Sequence, residues 1–250
     1  MQNNYTPLFT YIIPFRFRQD RMIPLRRVLD WLSGFQGVEI LIVEQDKHSK
    51  ISNMNLRAKH IFIENSGEFN KSWSYNVGLR RSQSPVVICG EADFIMNPND
   101  LILSLNALQN CECVLPIGKI VNLSPAESNM DFNSIFNLKN NLPNFTLTNG
   151  ISLFKRDSLN RIAGWNEDFV GSSSYENKFQ EVKITKLLNT QKLDLMGYHF
   201  SHQTVMPNFQ FEQRNKQIFD HYSDGDFNKL QQHVNIVSSK IGQLNKFSSI

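Results

Sequence analysis

From Phe9 to Cys89 the chain alternates short apolar runs with amphipathic helical patterns, and this alternation constrains the fold more than any other feature. Short apolar runs bounded by turn residues read as strands, whereas apolar positions recurring every three or four residues read as one face of a helix. Phe9 to Ile13, Val38 to Val43, His60 to Ile63 and Val86 to Cys89 are strand-like. Between them, Leu25, Val28, Leu29 and Leu32 share one helical face, and Asn70 opens a second helix running to about Ser82. Asp20 is placed to cap the first helix, Pro24 is tolerated near its start and Gly34 stops it. The pattern predicts an α/β fold with a parallel sheet flanked by helices, in which ligands sit beyond the carboxyl ends of strands.

Gly90-Glu91-Ala92-Asp93 follows the last of these strands. Two carboxylates separated by one residue can hold a hard divalent cation that bridges to a diphosphate and neutralises the charge on a departing nucleotide. By itself such a triplet also fits a solvated turn. A second candidate ligand set lies in Tyr198-His199-Phe200-Ser201-His202, after the strand-like run Leu193 to Met196. Two histidines three residues apart can face one side of a turn, and His202 is the favoured ligand over His199; a structural histidine is the competing reading for either. Past the first strand, Pro14-Phe15-Arg16-Phe17-Arg18 brings arginines that can fork onto phosphate or stack on a base, or else form a solvated basic turn.

The remainder is less regular. Asn122 to Asn149 is rich in asparagine and carries Pro125 and Pro143, which predicts loops passing over a site. Ile151 to Phe154 restores a strand, Arg156 to Ala163 is a short helix closed by Gly164, and Tyr175 to Leu188 is a longer helix capped by Ser173 or Ser174. Phe227, Leu230, Val234, Val237, Ile241 and Leu244 form an apolar seam that either docks on the domain or pairs two copies as a short coiled coil.

Composition narrows the function classes. With 250 residues, 40% hydrophobic, the chain can bury a full core. Its 26 Lys and Arg against 23 Asp and Glu leave a scattered charge of +3, so nucleic acid is not the expected partner. Cys89, Cys111 and Cys113 match no zinc or redox spacing and read as reduced structural thiols. No run approaches the length of a membrane span, and the N-terminus lacks a basic segment followed by an apolar one, so a cytoplasmic location is expected.

Taken in order from Thr10 to His202, these blocks resemble the β-1,4-galactosyltransferase family and its bacterial relatives, including the catalytic regions of capsule polymerases. Ile12-Ile13-Pro14-Phe15-Arg16-x-Arg18 is similar to the family's first-strand motif at the nucleotide. Phe69-Asn70-Lys71 with Asn76-Val77-Gly78 is similar to its next nucleotide block. Glu91-Ala92-Asp93 stands where the family has Asp-x-Asp, keeping the second residue, the metal ligand, and replacing the first by glutamate. His202 resembles the metal-binding histidine that follows the family's last core strand.

The resemblance implies a GT-A fold over residues 1–204, a Rossmann-like mixed sheet flanked by helices, followed by a C-terminal helical extension over 205–250 that packs on the domain or mediates a homodimer. It also implies an inverting transfer of a hexose or N-acetylhexosamine from a UDP-sugar to a glycan hydroxyl, with Mn²⁺ or Mg²⁺ held by Asp93, His202, Glu91 and His199. Pro14, Phe15, Arg16, Arg18, Asn70, Lys71, Asn76, Glu91 and Ala92 would serve the nucleotide. Gly164-Trp165-Asn166-Glu167-Asp168-Phe169 matches the family's lead-in to the base, but Gly171 to Glu176 departs from the usual Gly-Trp-Gly-Gly-Glu-Asp. With Phe179 in register, Glu176 takes the base position; Glu167 and Asp168 are the neighbouring alternatives. The departure also admits a catalytically impaired relative that serves as a sugar-nucleotide or glycan-binding module or as a partner subunit.

Overall fold

A computed structural model of the protein describes residues 6–144, 146–171, 175–204 and 208–246. The chain begins β1 (Phe9–Phe15), α1 (Met22–Leu32), β2 (Val38–Asp46), β3 (Lys59–Glu64), α2 (Lys71–Arg81) and β4 (Val86–Gly90). It continues through β5 (Phe94–Met96), α3 (Pro98–Ala107), β6 (Cys113–Asn122), α4 (Phe132–Phe136), β7 (Leu142–Pro143) and β8 (Ile151–Lys155). The last elements are α5 (Arg156–Arg161), α6 (Tyr175–Leu187), β9 (Thr190–His199), α7 (Phe209–Tyr222) and α8 (Phe227–Val237).

β1 lies between β2 and β4 and runs parallel to both, so the chain winds outward through β2 to β3 and then crosses back to β4. That reversal opens a crevice at the carboxyl ends of β1 and β4. Past β4 the sheet becomes mixed: β8 is antiparallel to β4 and β6, β9 is parallel to β6, and β5 is antiparallel to β9. The order is β3-β2-β1-β4-β8-β6-β9-β5, with β7 added to β6.

Every residue of β1 is buried, which is why the run is apolar on both faces save for Thr10, whose hydroxyl donates to Glu39 Oε2 at 2.7 Å. Strand periodicity divides it between two cores: Tyr11 and Ile13 join Leu25, Val28 and Leu32 of α1, whereas Ile12 joins Trp73 and Val77 of α2. Gly90 is required where β4 meets the first core, because a Cβ there would lie 2.0 Å from the Tyr11 hydroxyl oxygen.

Asn70 caps α2 as its sequence predicts, accepting the Trp73 N–H at 2.8 Å. Asp20 does not cap α1. A 3-10 turn over Gln19–Arg21 precedes that helix, and Asp20 instead binds the Arg18 guanidinium and the Gln203 N–H. The expected caps Ser173 and Ser174 lie outside the described residues.

The apolar seam of the tail is shorter than its spacing predicts. α8 stops at Val237; Leu230 and Val234 are buried, and Ile241 enters the core beyond the helix. Gly242, with φ of +62°, lets the backbone meet that of Asn76, where a Cβ would approach the carbonyl oxygen to 2.4 Å. Phe227 and Leu244 remain exposed, while Trp73 Nε1 donates to the Gln243 carbonyl at 2.7 Å. All three cysteines are buried free thiols. No helix among the described residues is long and apolar enough to cross a membrane.

Candidate functional site

The chain leaves β4 at Gly90, and the Glu91 N–H is held by the Gly150 carbonyl at 3.0 Å. Three residues later β5 pairs with the end of β9, Phe94 opposite His199, and the Phe200 N–H donates to the Asp93 carbonyl at 2.8 Å. The strand pairing therefore carries the histidine segment to the acidic segment. His202 Nε2 lies 3.1 Å from Asp93 Oδ2, and His199 Nε2 lies 3.8 Å from Oδ1. The two imidazole Nε2 atoms are 3.2 Å apart, and one donor atom from each of the three residues falls within 4.8 Å of the others.

A carboxylate and two imidazoles converging at that spacing fit a divalent cation. Arg21, at the end of the 3-10 turn, completes the cluster: its Nη1 donates to Asp93 Oδ2 at 2.6 Å. Burial alone would raise the Asp93 carboxyl, but the His202 hydrogen bond and the charges of His199 and Arg21 hold it down at about 2. The bond to Asp93 in turn raises the pKa of His202 against the effects of burial and Arg21. These four side chains border a cavity of about 410 Å³ whose other walls include Glu91, Asn122, Leu142, Asn144 and Asn149. The asparagine-rich excursion between β6 and β8 thus supplies one wall.

Glu91 faces the same cavity but is tied to Lys71, Oε1 to Nζ, at 2.9 Å, and it is not part of the close donor cluster. Lys71 also donates to Asn177 Oδ1 at 2.9 Å. Burial would lower the pKa of Lys71, yet Glu91 and Glu176 outweigh it and raise the ammonium above its ordinary range. Glu176, in the first turn of α6 and next to Asn177, is 5% exposed and accepts from Ser72 Oγ at 2.7 Å. Burial pushes its carboxyl up, against Lys71 and the Ser72 bond.

The other sequence candidates face inward. Pro14 and Phe15 are buried in β1, and Ala92 is buried in the core beside it. The Arg16 guanidinium donates to the carbonyls of Gln45, Gly67 and Asn65, and burial lowers its pKa despite Asp46 and Glu68. Arg18 grips Asp20 through two nitrogens. Asn70 donates to the Glu167 carbonyl; Asn76 pairs with both backbone groups of Trp165 and with Glu167 Oε1. Arg21 is the charged residue lining the cavity that sequence reasoning missed. Its one signal was its position as the next arginine of the segment that follows β1.

The architecture is GT-A-like, the glycosyltransferase fold expected from the sequence. Among solved structures, TarS of S. aureus, a glycosyltransferase, matches with a TM-score of 0.59 over 91% of this chain, at 13% identity. The chain spans 41% of the length of TarS, and at that identity the likeness is one of fold. No family model and no curated protein sequence matches the chain.

Proposed function

We propose that the protein is a metal-dependent, inverting glycosyltransferase that moves a hexosyl or N-acetylhexosaminyl group from a UDP-sugar to a glycan hydroxyl. The observation that carries this reading is the convergence of Asp93, His199 and His202 at the switch point of a GT-A-like sheet, on the edge of a cavity. A cation held there would supply electrostatic stabilisation for a departing diphosphate. The mixed nitrogen and oxygen donor set suits Mn²⁺ better than Mg²⁺, which favours oxygen ligands. Residues 1–204 would form the catalytic domain, with 205–250 as its helical extension.

In this reading Glu176 accepts the proton of the acceptor hydroxyl, and its elevated pKa suits a general base. Lys71 is ion-paired with Glu91, and its charge also acts on Glu176. Glu91 reaches the nucleotide directly, with Ala92 beneath it. Pro14, Phe15, Arg16, Arg18, Asn70 and Asn76 shape the nucleotide side from behind, because their polar groups are engaged with the protein itself.

One observation favours a second reading, a sugar-nucleotide or glycan-binding subunit without turnover: Glu176 is 5% exposed and bonded to Ser72. Thermal shift across a panel of UDP-sugars with Mn²⁺, followed by assay of UDP release, separates the two. Stabilisation with release supports the enzyme, and stabilisation without release across the panel supports the binding subunit. Asp93→Asn is expected to weaken Mn²⁺-dependent UDP binding by at least about a hundredfold, because changing even an outer partner of a metal ligand costs about 10–100-fold. Wild-type affinity in that variant would remove Asp93 from the metal role.

A further inference from the structure

Both carboxylates of the triplet already hold a cation from the protein: Lys71 lies 2.9 Å from Glu91 and Arg21 lies 2.6 Å from Asp93. The two pairs differ in freedom. Lys71 is braced by a second bond to Asn177, whereas the described hydrogen bonding of the Arg21 guanidinium is to Asp93 alone. Arg21 is 29% exposed at its side chain, lines the cavity, and sits on a short 3-10 turn rather than within a helix.

Arg21 Nη1 takes Asp93 Oδ2, and this is the oxygen that also lies 3.1 Å from His202 Nε2. A cation bound by Asp93, His199 and His202 therefore has to share or displace the arginine at that atom. A divalent ion added to the pair of one carboxylate and one guanidinium leaves an excess positive charge in a half-enclosed site. A diphosphate, as an anion, offsets that excess, and a guanidinium freed from Asp93 is suited to grip its oxygens.

We propose that Arg21 couples the binding of the metal to the binding of the diphosphate: it opposes the metal while it is paired with Asp93, and it holds the diphosphate once the metal has taken its place. This rests on the metal reading above. The ligand class is a nucleoside diphosphate arriving with or after its metal. Linkage requires the diphosphate to strengthen metal binding by the factor by which the metal strengthens diphosphate binding, and because Arg21 competes for Asp93 Oδ2, removing it alters metal affinity even in the absence of nucleotide.

The test is calorimetric titration of Mn²⁺ into wild type, Arg21→Met and Arg21→Lys, each alone and with saturating UDP. Arg21→Met is expected to bind Mn²⁺ alone about fivefold more tightly, the upper end of the scale for one partly exposed ion pair. The same variant is expected to bind UDP about tenfold more weakly at saturating Mn²⁺, the loss of a charge-assisted contact. Arg21→Lys, which keeps the charge, should return metal affinity toward wild type. Equal Mn²⁺ affinity in wild type and Arg21→Met overturns the coupling and leaves the metal site standing. Absence of Mn²⁺ binding in all three proteins overturns the metal site and the coupling together. Urea unfolding of each variant confirms that the comparison is made between folded proteins.

Discussion

Asp93 and Glu167 are carboxylates of nearly equal burial, 2% and 4% exposed, and both gather hydrogen-bond donors, yet they occupy different kinds of surroundings. Asp93 is met by the side chains of Arg21, His199 and His202, all of which border the cavity. Glu167 is met by Asn76 Nδ2, the Gly242 N–H and Lys246 Nζ, so that its two oxygens tie α2 to the C-terminal segment. The first set can exchange a partner for a ligand without unfolding anything. The second set is closed by the chain itself. Burial therefore does not distinguish a site from a structural network; what distinguishes them is whether the partners face open volume.

Glu176 sits between these cases and gives the sharpest way to test the distinction. It is buried like Glu167, but it shares Lys71 with Glu91 of the cavity. If it belongs with the cavity, Glu176→Gln lowers turnover by about 10²–10⁴-fold, the range for a general base, while Mn²⁺–UDP stabilisation and the urea midpoint stay near wild type. A turnover unchanged by the substitution would return Glu176 to the structural set with Glu167.

Glu167→Ala approaches the comparison from the other side. Removing that carboxylate takes one of two acceptors from the buried Asn76 amide and the acceptor of the buried Gly242 N–H. The expected cost is about 3 kcal/mol of unfolding free energy in urea, with Mn²⁺ affinity retained in the folded protein. A loss below about 1 kcal/mol, or a loss of Mn²⁺ affinity in folded protein, would break the separation of the two clusters.

The strands that matter for the site were readable because their chemistry is local. β1, β2 and β4 announce themselves as apolar runs, and the capping of α2 by Asn70 follows from one side chain and one N–H. Asp93 and His202 were likewise readable as donors of the right type beyond strands. Their meeting depends on β5 pairing with β9, a contact between segments a hundred residues apart that no local spacing encodes. The same limit explains Asn76 and Arg16. Each is polar at a motif position, and only the tertiary structure shows that Trp165, Glu167 and the carbonyls near Gly67 consume their hydrogen bonds. Arg21 was missed for the complementary reason: the 3-10 turn that replaces the expected Asp20 cap is what delivers its side chain to Asp93.

The closed network has a weak point at Lys183 of α6, which is fully buried and donates from Nζ to the Gly164 carbonyl at 2.6 Å. Burial lowers its pKa to about 7, with Glu167 opposing the shift. An unfolded lysine titrates near ~10.4, so between about pH 7 and 10 the unfolded chain binds a proton that the folded chain does not. Lys183 therefore contributes a rise of stability with pH across that window, which the buried thiols of Cys89, Cys111 and Cys113, raised by burial, oppose above about pH 8.5. The buried His233, lowered to about 4 by burial and then by Lys183, changes its proton binding at lower pH and does not overlap with it. Lys183→Met should remove that contribution, making the slope against pH less positive than in wild type, and stabilise the protein at pH 7 by about 2 kcal/mol, as replacing a buried ionisable group with an apolar one of similar volume often does. Urea midpoints measured from pH 6.5 to 9.5 decide the matter. An unchanged slope in the variant would mean that Lys183 keeps its charge through an interaction with Glu167, making that cluster less rigidly closed than its hydrogen bonds imply.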